Sequence, residues 1–307
     1  MFLAFDTSNY TTSAALFGSE CQKNISRLLD VKPGELGLRQ SDALFHHVQR
    51  LPDIIDRLFE GTDRQKIRAV AASTRPRAVE GSYMPCFLAG ETVARSLAKV
   101  LDVPFYAFSH QQGHIAASVW SSGRMDLLQK PHLAWHLSGG TTELLLVHPD
   151  NGKNVCAERI GGTTDISAGQ VIDRAGKLLS LQFPSGKALD ELAFQAAHKE
   201  KFSVKLRELS FSFSGLENKV NEYFNKGASK EETAAYAVNS VTDAIVRTTR
   251  EAMKTYPGLE VVFSGGVASN RTLRQKCAEF SPVFAKPEFS TDNAMGVAVL
   301  CSMQEEP

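Results

Sequence analysis

Short apolar runs alternate with longer stretches of helical period along most of this chain. Residues 2–6 form an apolar run that ends on an acid, Asp6, and residues 13–17 read as a strand returning from the polar turn 7–12. The chain therefore opens on a hairpin with a hydroxyl-rich tip. Residues 28–40 are polar, contain Pro33, Gly34 and Gly37, and read as a loop. Residues 41–59 repeat apolar positions at helical spacing behind Ser41 as N-cap. A strand at 67–73, a loop at 74–85, a helix at 86–101, a strand at 104–108 and a helix from 109 to about 120 follow.

The pattern then restarts. Residues 132–137 read as a strand, Ser138-Gly139-Gly140-Thr141-Thr142 as a turn, and 143–147 as the returning strand. Helices are predicted at 166–179, 186–198 and 230–256, a strand at 259–263 leading into Ser264-Gly265-Gly266, and closing helices at 268–279 and 292–303. Two hairpin-led halves with alternating strands and helices predict an α/β architecture in which helices cover sheets. The break near Ser121-Ser122-Gly123 places one half at 1–122 and the other at 123–307, with the last helix free to pack back on the first half.

Composition narrows the classes. Of 307 residues, 43% are hydrophobic and 22% charged, which excludes a disordered or fibrous chain. No apolar run approaches the roughly 18 residues of a membrane helix, and the early charge at Asp6 gives no export signal. Lys and Arg number 34, as do Asp and Glu. With zero formal charge, nucleic acid would be held through a local patch, such as Lys199-Lys201-Lys205-Arg207 or Arg271-Arg274-Lys276, or through a partner. Charge runs of this kind are more often solvated helix faces. Cys21, Cys86, Cys156, Cys277 and Cys301 are scattered without a CxxC spacing, which fits a reduced, cytoplasmic setting.

His110 and His114 stand four apart, so on a helix both imidazoles reach one ion. Two ligands do not close a metal site. Asp292, where the last predicted helix begins, is the candidate third. On spacing alone the plainer reading, two partly exposed histidines at a helix start, is favoured. The absence of a central Glu deprives a zinc-peptidase mechanism of its base. Three glycine pairs, Gly139-Gly140, Gly161-Gly162 and Gly265-Gly266, each follow a strand, and their context modestly favours nucleotide binding. Neither a P-loop nor a GxGxxG run occurs. An acid at Asp173 on a helix facing a cleft suits ribose hydroxyls, but on pattern alone an ordinary surface Asp paired with Arg174 or Lys177 is the favoured reading. Phe211-Ser212-Phe213-Ser214-Gly215-Leu216 reads as a strand or turn with a buried Phe face.

Together and in this order the motifs resemble the catalytic subunit of the tRNA threonylcarbamoyladenosine transferase (TsaD-like) family, formerly described as glycoprotein endopeptidases. The resemblance runs from Asp6 to about Asn293. Its strongest parts are 110–114, 137–141, 169–173 with Lys177, 184–186, 211–216, 265–271 and 291–294. It implies an actin/hexokinase/Hsp70-like (ASKHA) fold of two duplicated subdomains with a central cleft. It further implies one divalent metal ion, iron or zinc, on His110, His114 and Asp292, and an AMP-type adenylate on His136, Leu137, Ser138, Gly139, Gly140, Asp173, Gly186 and Asn270. The implied reaction moves a threonylcarbamoyl group from its AMP adduct to an adenosine of tRNA, beside scaffold and ATPase subunits and away from membranes. The chain departs from the family's pattern at the first hairpin, where two acids and a cysteine are missing between Asp6 and Ser13. It departs again at Arg75-Pro76-Arg77 in place of Gly-Pro-Gly, at Thr141 in place of His, and at Gln170 in place of Glu. A paralogue using another carbamoyl acceptor and a non-catalytic partner subunit are the alternatives.

Overall fold

A computed structural model describes residues 1–8, 10–30, 38–197 and 200–305. Asn9, Pro33, Gly34, Gly37, the end of the predicted 186–198 helix and Lys199 lie outside the described residues. The first sheet contains β1 (Phe2–Asp6), β2 (Thr11–Phe17), β3 (Gln22–Leu28), β4 (Ala69–Arg75) and β5 (Phe105–Ser109), in the order β3-β2-β1-β4-β5. β1 pairs antiparallel with β2 and parallel with β4, and β4 pairs parallel with β5. Helices α1 (Gln40–Leu58), α2 (Phe87–Leu101) and α3 (His110–Ser121) accompany it.

The second sheet contains β6 (His132–Leu137), β7 (Thr142–Asp150), β8 (Asn154–Thr163), β9 (Leu206–Arg207), β10 (Ser210–Phe211), β11 (Val261–Ser264) and β12 (Val283–Phe284), in the order β12-β11-β6-β7-β8-β10-β9. Its helices are α4 (Ala168–Leu178), α5 (Gly186–Gln195), α6 (Ser214–Asn225), α7 (Lys230–Thr255) and α8 (Arg271–Cys277), and α9 (Met295–Glu305) ends the described chain. The two sheets repeat one plan. In each, a strand with an antiparallel partner on one side (β1 with β2, β6 with β7) has two parallel strands on the other.

Burial explains which strands are apolar. β1 and β6 lie between two neighbours, and β1 is buried at every position, so their sequences read as near-continuous apolar runs. β3 is an edge strand with no buried residue, and its polar sequence, Gln22 to Leu28, hid it from pattern reading. β8 was likewise not predicted, since Glu158, Arg159 and its two glycines break the alternation. The 211–216 segment is strand only at Ser210–Phe211 and turns into α6 at Ser214. The predicted 268–279 helix is a 3-10 turn, Gly266–Ser269, followed by α8. The last helix begins at Met295, so Asp292 precedes it rather than opening it.

The chain divides into two compact units. One comprises Met1–Lys130, His148–Ala157 and Asp292–Pro307, and the other Pro131–Val147 and Glu158–Thr291. The core of the first gathers Leu3, Phe5, Leu16, Leu51, Ile54 and Val70. That of the second is built around Trp135, Phe211, Phe213 and Phe263, and the Trp135 indole donates to Thr249 Oγ1 at 2.8 Å.

Candidate metal centre and ligand-binding turns

Three polar side chains converge in the first unit. Ser109 caps α3 through a complete capping box. Its hydroxyl accepts from the Gln112 amide at 3.2 Å, and the Gln112 side chain accepts from the Ser109 amide at 2.8 Å. The cap fixes where the helix starts, and so puts His110 in its first turn with His114 on the same face one turn later. Their Nε2 atoms stand 2.9 Å apart. Asp292 Oδ1 lies 3.1 Å from His114 Nε2 and 3.4 Å from His110 Nε2. Donors sharing one ion at ~2.1 Å sit roughly 3.0–3.4 Å from one another. At 2.9, 3.1 and 3.4 Å the donors of His110, His114 and Asp292 lie within or just short of that range, a set able to hold a single divalent ion after a small adjustment.

Two glycines bring Asp292 to the histidines. A Cβ on Gly296 of α9 would stand 1.8 Å from the Gly113 carbonyl oxygen, and one on Gly113 would stand 2.9 Å from Val297 Cγ2. α3 and α9 thus touch backbone to backbone between the two histidines, just past Asp292.

Asp6, at the end of β1, completes the group. It is 1% exposed, and its Oδ2 meets His110 Nδ1 at 2.8 Å while Oδ1 accepts the Ser8 amide at 2.9 Å. A carboxylate at Nδ1 keeps the proton there and turns the Nε2 lone pair toward a ligand. Burial works against a charged His110, but the Asp6 charge and the hydrogen bonds to Asp292 and Asp6 push the imidazole up to about 10. Burial likewise opposes ionisation of Asp292 and Asp6, yet both are held below the ordinary carboxylate range, Asp292 by the two histidines and Asp6 chiefly by His110.

The hydroxyls of Thr7, Ser8, Thr12 and Ser13 in the first hairpin are spent on the surrounding scaffold. Thr7 Oγ1 donates to the Cys86 carbonyl at 2.9 Å and accepts the Gly90 amide, Thr12 Oγ1 meets His47 Nδ1 at 2.8 Å, and Ser13 Oγ donates to the Asp6 carbonyl. This hairpin positions Asp6.

In the second unit the predicted ligand residues are joined by a continuous run of contacts. The Ser138-Gly139-Gly140 turn packs on the start of α4, where a Cβ on Gly169 would stand 2.5 Å from both Ser138 O and Gly139 Cα. Ser167 Oγ donates to Gly139 O at 2.6 Å, and the Ala168 amide to Thr142 Oγ1 at 2.7 Å. Gly265 takes φ +90° and lies against Leu137, whose carbonyl oxygen any Cβ would meet at 2.1 Å. The Ser138 amide is already bound to the Thr141 carbonyl, whereas those of Gly139 and Gly140 have no hydrogen bond among the described residues. Further along α4, Asp173 Oδ1 accepts the Ser185 amide at 2.9 Å, just before Gly186 opens α5. Burial raises the Asp173 carboxyl, against that hydrogen bond. Among the described residues neither Lys177 nor Arg174, which meets Glu217, pairs with it. Asn270 donates to Asp190 Oδ1 at 2.7 Å and caps α8 by accepting the Leu273 amide at 3.0 Å. His136 is half-buried on β6, opposite Ser264 and Glu143.

Sequence reasoning missed the bond from Asp6 to His110, because 104 residues separate them. An acid closing a buried strand was the available signal. It also missed Asp165, whose carboxylate accepts from Ile166 N and Phe213 N, both at 2.8 Å, from Ser214 N and from the Ser212 hydroxyl. Asp165 thereby pins the 211–214 turn in front of α4. Burial raises its pKa, but these hydrogen bonds hold it down to about 2, against ~3.9 in an unfolded chain. Its stabilisation is therefore complete above about pH 4 and fades as pH falls toward 2. Asp165→Ala should cost about 1–2 kcal/mol at pH 7. Urea midpoints of the two proteins should converge in that acid window, and a constant gap would remove the carboxylate from the account.

The expected basic patches are partly consumed. Arg271 pairs with Asp190 and Lys201 with Asp243, while Arg274 binds the carbonyls of Ala268 and Ala285.

Comparison with known proteins matches residues 32–299 to the model of the family TsaD, tRNA N6-adenosine threonylcarbamoyltransferase. The tRNA N6-adenosine threonylcarbamoyltransferase of Kosmotoga olearia is 34% identical over 267 residues, covering 82% of this chain and 78% of the relative. That of Thermus thermophilus is 34% identical over 259 residues, covering 82% and 76%. Among solved structures, HypF from T. kodakarensis aligns with a TM-score of 0.59 at 15% identity, covering 99% of this chain and 47% of HypF, so this chain spans about half of it. A ROK-family glucokinase from Streptomyces griseus aligns with a TM-score of 0.53 at 11% identity, covering 97% and 98%. The fold is the α/β, actin/hexokinase/Hsp70-like architecture.

Proposed function

Because this chain belongs to the tRNA N6-adenosine threonylcarbamoyltransferase family, a family of enzymes, we propose that it moves a threonylcarbamoyl group from its AMP adduct to the exocyclic amine of an adenosine in tRNA. The observation that carries this reading is the convergence of His110, His114 and Asp292 on one point, with Asp6 orienting His110 from behind. These three would hold one divalent ion, and two imidazoles with one carboxylate suit iron or zinc alike. When bound, the ion supplies a Lewis acid next to the carbamoyl carbonyl.

The protein's own groups do the rest. Asp6 keeps the Nδ1 proton in place. The uncommitted amides of Gly139 and Gly140 hold an oxygen on which charge develops. The second carboxylate oxygen of Asp173 takes a ribose hydroxyl, and Gly186 opens the helix beside it. Leu137 and His136 carry the turn, and Asn270 acts by capping α8. The amine attacks the carbamoyl carbon, the bond from that carbon to the AMP phosphate oxygen breaks, AMP leaves with the electron pair, and the proton lost by the amine passes to the departing phosphate or to solvent. No protein nucleophile is required. Several cations of the basic clusters are engaged in internal pairs. This favours tRNA docking shared with scaffold and ATPase subunits, in a cytoplasmic setting.

The test supplies purified protein with threonylcarbamoyl-adenylate, tRNA and the partner subunits, and reads nucleosides by mass spectrometry. Modified adenosine, abolished by chelation and restored by added iron or zinc, is expected. Absence of product where a known family enzyme is active would overturn the reading. Asp6→Asn should weaken metal affinity about 10–100-fold, measured by competition with a chromogenic chelator. Unchanged affinity would show that His110 needs no orienting partner.

A further inference from the structure

We propose that Arg75 recognises the carboxylate of the amino-acid portion of the donor. This rests on the transferase reading above and names the group that the first unit selects.

β1, β4 and β5 run parallel, so their last residues, Asp6, Arg75 and Ser109, close the same edge of the sheet. Ligands of open parallel sheets gather at that carboxyl edge. The pairing of Phe5 with Ala72 sets Asp6 level with Ser73. The register between β4 and β5 then shifts, and Arg75 pairs with Ser109, the residue before His110. The next residue is fastened to the same helix start, since the Pro76 carbonyl accepts the Gln111 amide at 3.0 Å. The backbone carrying Arg75 is thus fixed on both sides against the segment carrying the first metal ligand.

Charge then decides what Arg75 can do. The two carboxylates of this site are engaged, Asp6 with His110 and Asp292 with both histidines. The Arg75 side chain is exposed and has no ion pair or hydrogen bond among the described residues. A permanently charged, planar donor left unpaired at a ligand edge matches an oxyanion, and its fork matches a carboxylate in two-point contact. In a threonylcarbamoyl donor only the amide nitrogen and the α-carbon separate the reacting carbonyl from such a carboxylate. Arg75 is accordingly a specificity residue for an acidic donor, in a turn where the family resemblance places glycine.

The test uses the full chain and N-carbamoyl-L-threonine, its C-terminal amide and inorganic phosphate as probes, with binding measured by calorimetry. Wild type is expected to prefer the acid over the amide by about 10–100-fold. Arg75→Ala should reduce that preference to about threefold or less, and Arg75→Lys should restore only part of it, for want of the fork. Thermal melts of the variants should match wild type, since the side chain is exposed. An unchanged preference in Arg75→Ala, or no preference in wild type, overturns the proposal. So does a loss confined to phosphate binding. The tRNA assay separates the two readings. Arg75-dependent preference without any modified adenosine would leave this inference standing and remove the transferase reading. Modified adenosine with unchanged preference in Arg75→Ala would do the reverse.

Discussion

On the proposed reading, His110→Ala is expected to lose metal binding and transfer activity together. Removing an outer partner of a ligand costs roughly 10–100-fold in affinity or activity, and removing a ligand from a set of three should cost more. The change leaves the buried His114 and the half-buried Asp292 3.1 Å apart as an ordinary pair. The fold should survive, because the α3 start is held by Ser109 and Gln112 rather than by His110. The measurement is metal content by mass spectrometry beside modified-nucleoside yield. Full metal occupancy in the variant would sink the ligand assignment. Lost activity with full occupancy would move His110 from metal holding to contact with substrate.

Gly296→Ala strikes the same site from the far side of the helix pair. The added methyl would stand 1.8 Å from the Gly113 carbonyl oxygen and 2.6 Å from the Ala117 nitrogen. Both obstacles are backbone, so no rotamer change relieves them, and α3 and α9 must part. The expected cost is about 3 kcal/mol or more, a drop in melting temperature of roughly 6–12 °C. Asp292, just ahead of α9, moves with it, so metal affinity falls although no ligand has been altered. Gly215→Ala, where nothing lies within 4 Å, is the control and should melt within about 1 °C of wild type. If Gly296→Ala matches this control, the helices do not meet as closely as described.

How much of this was legible in the sequence depended on whether a signal was local. β1 and β6 could be read because nearly every position is buried and the sequence is mostly apolar. β3 could not, because an edge strand with no buried residue has the composition of a loop. The His110–His114 pair was visible as a four-residue spacing behind a serine cap. The partnership with Asp6 was not, since pattern cannot connect positions 104 apart. The first turn was legible only as rich in hydroxyls, not in what Thr7 and Thr12 bind. Their partners, Cys86, Gly90 and His47, are all distant in sequence. Gly169 and Gly296 fall inside predicted helices, and only the backbones they face show why each is a glycine.

The ligands also carry a schedule. His110 and His114 belong to the early part of the chain, and Asp292 follows His114 by 178 residues, with all of the second unit translated in between. At ordinary rates of synthesis roughly ten to thirty seconds pass between the second ligand and the third. A chain stalled anywhere in that interval has two imidazoles and an orienting aspartate but no third donor, and it also lacks α9 beside α3. Metal retention would therefore distinguish chains that have been read past residue 292 from those that have not.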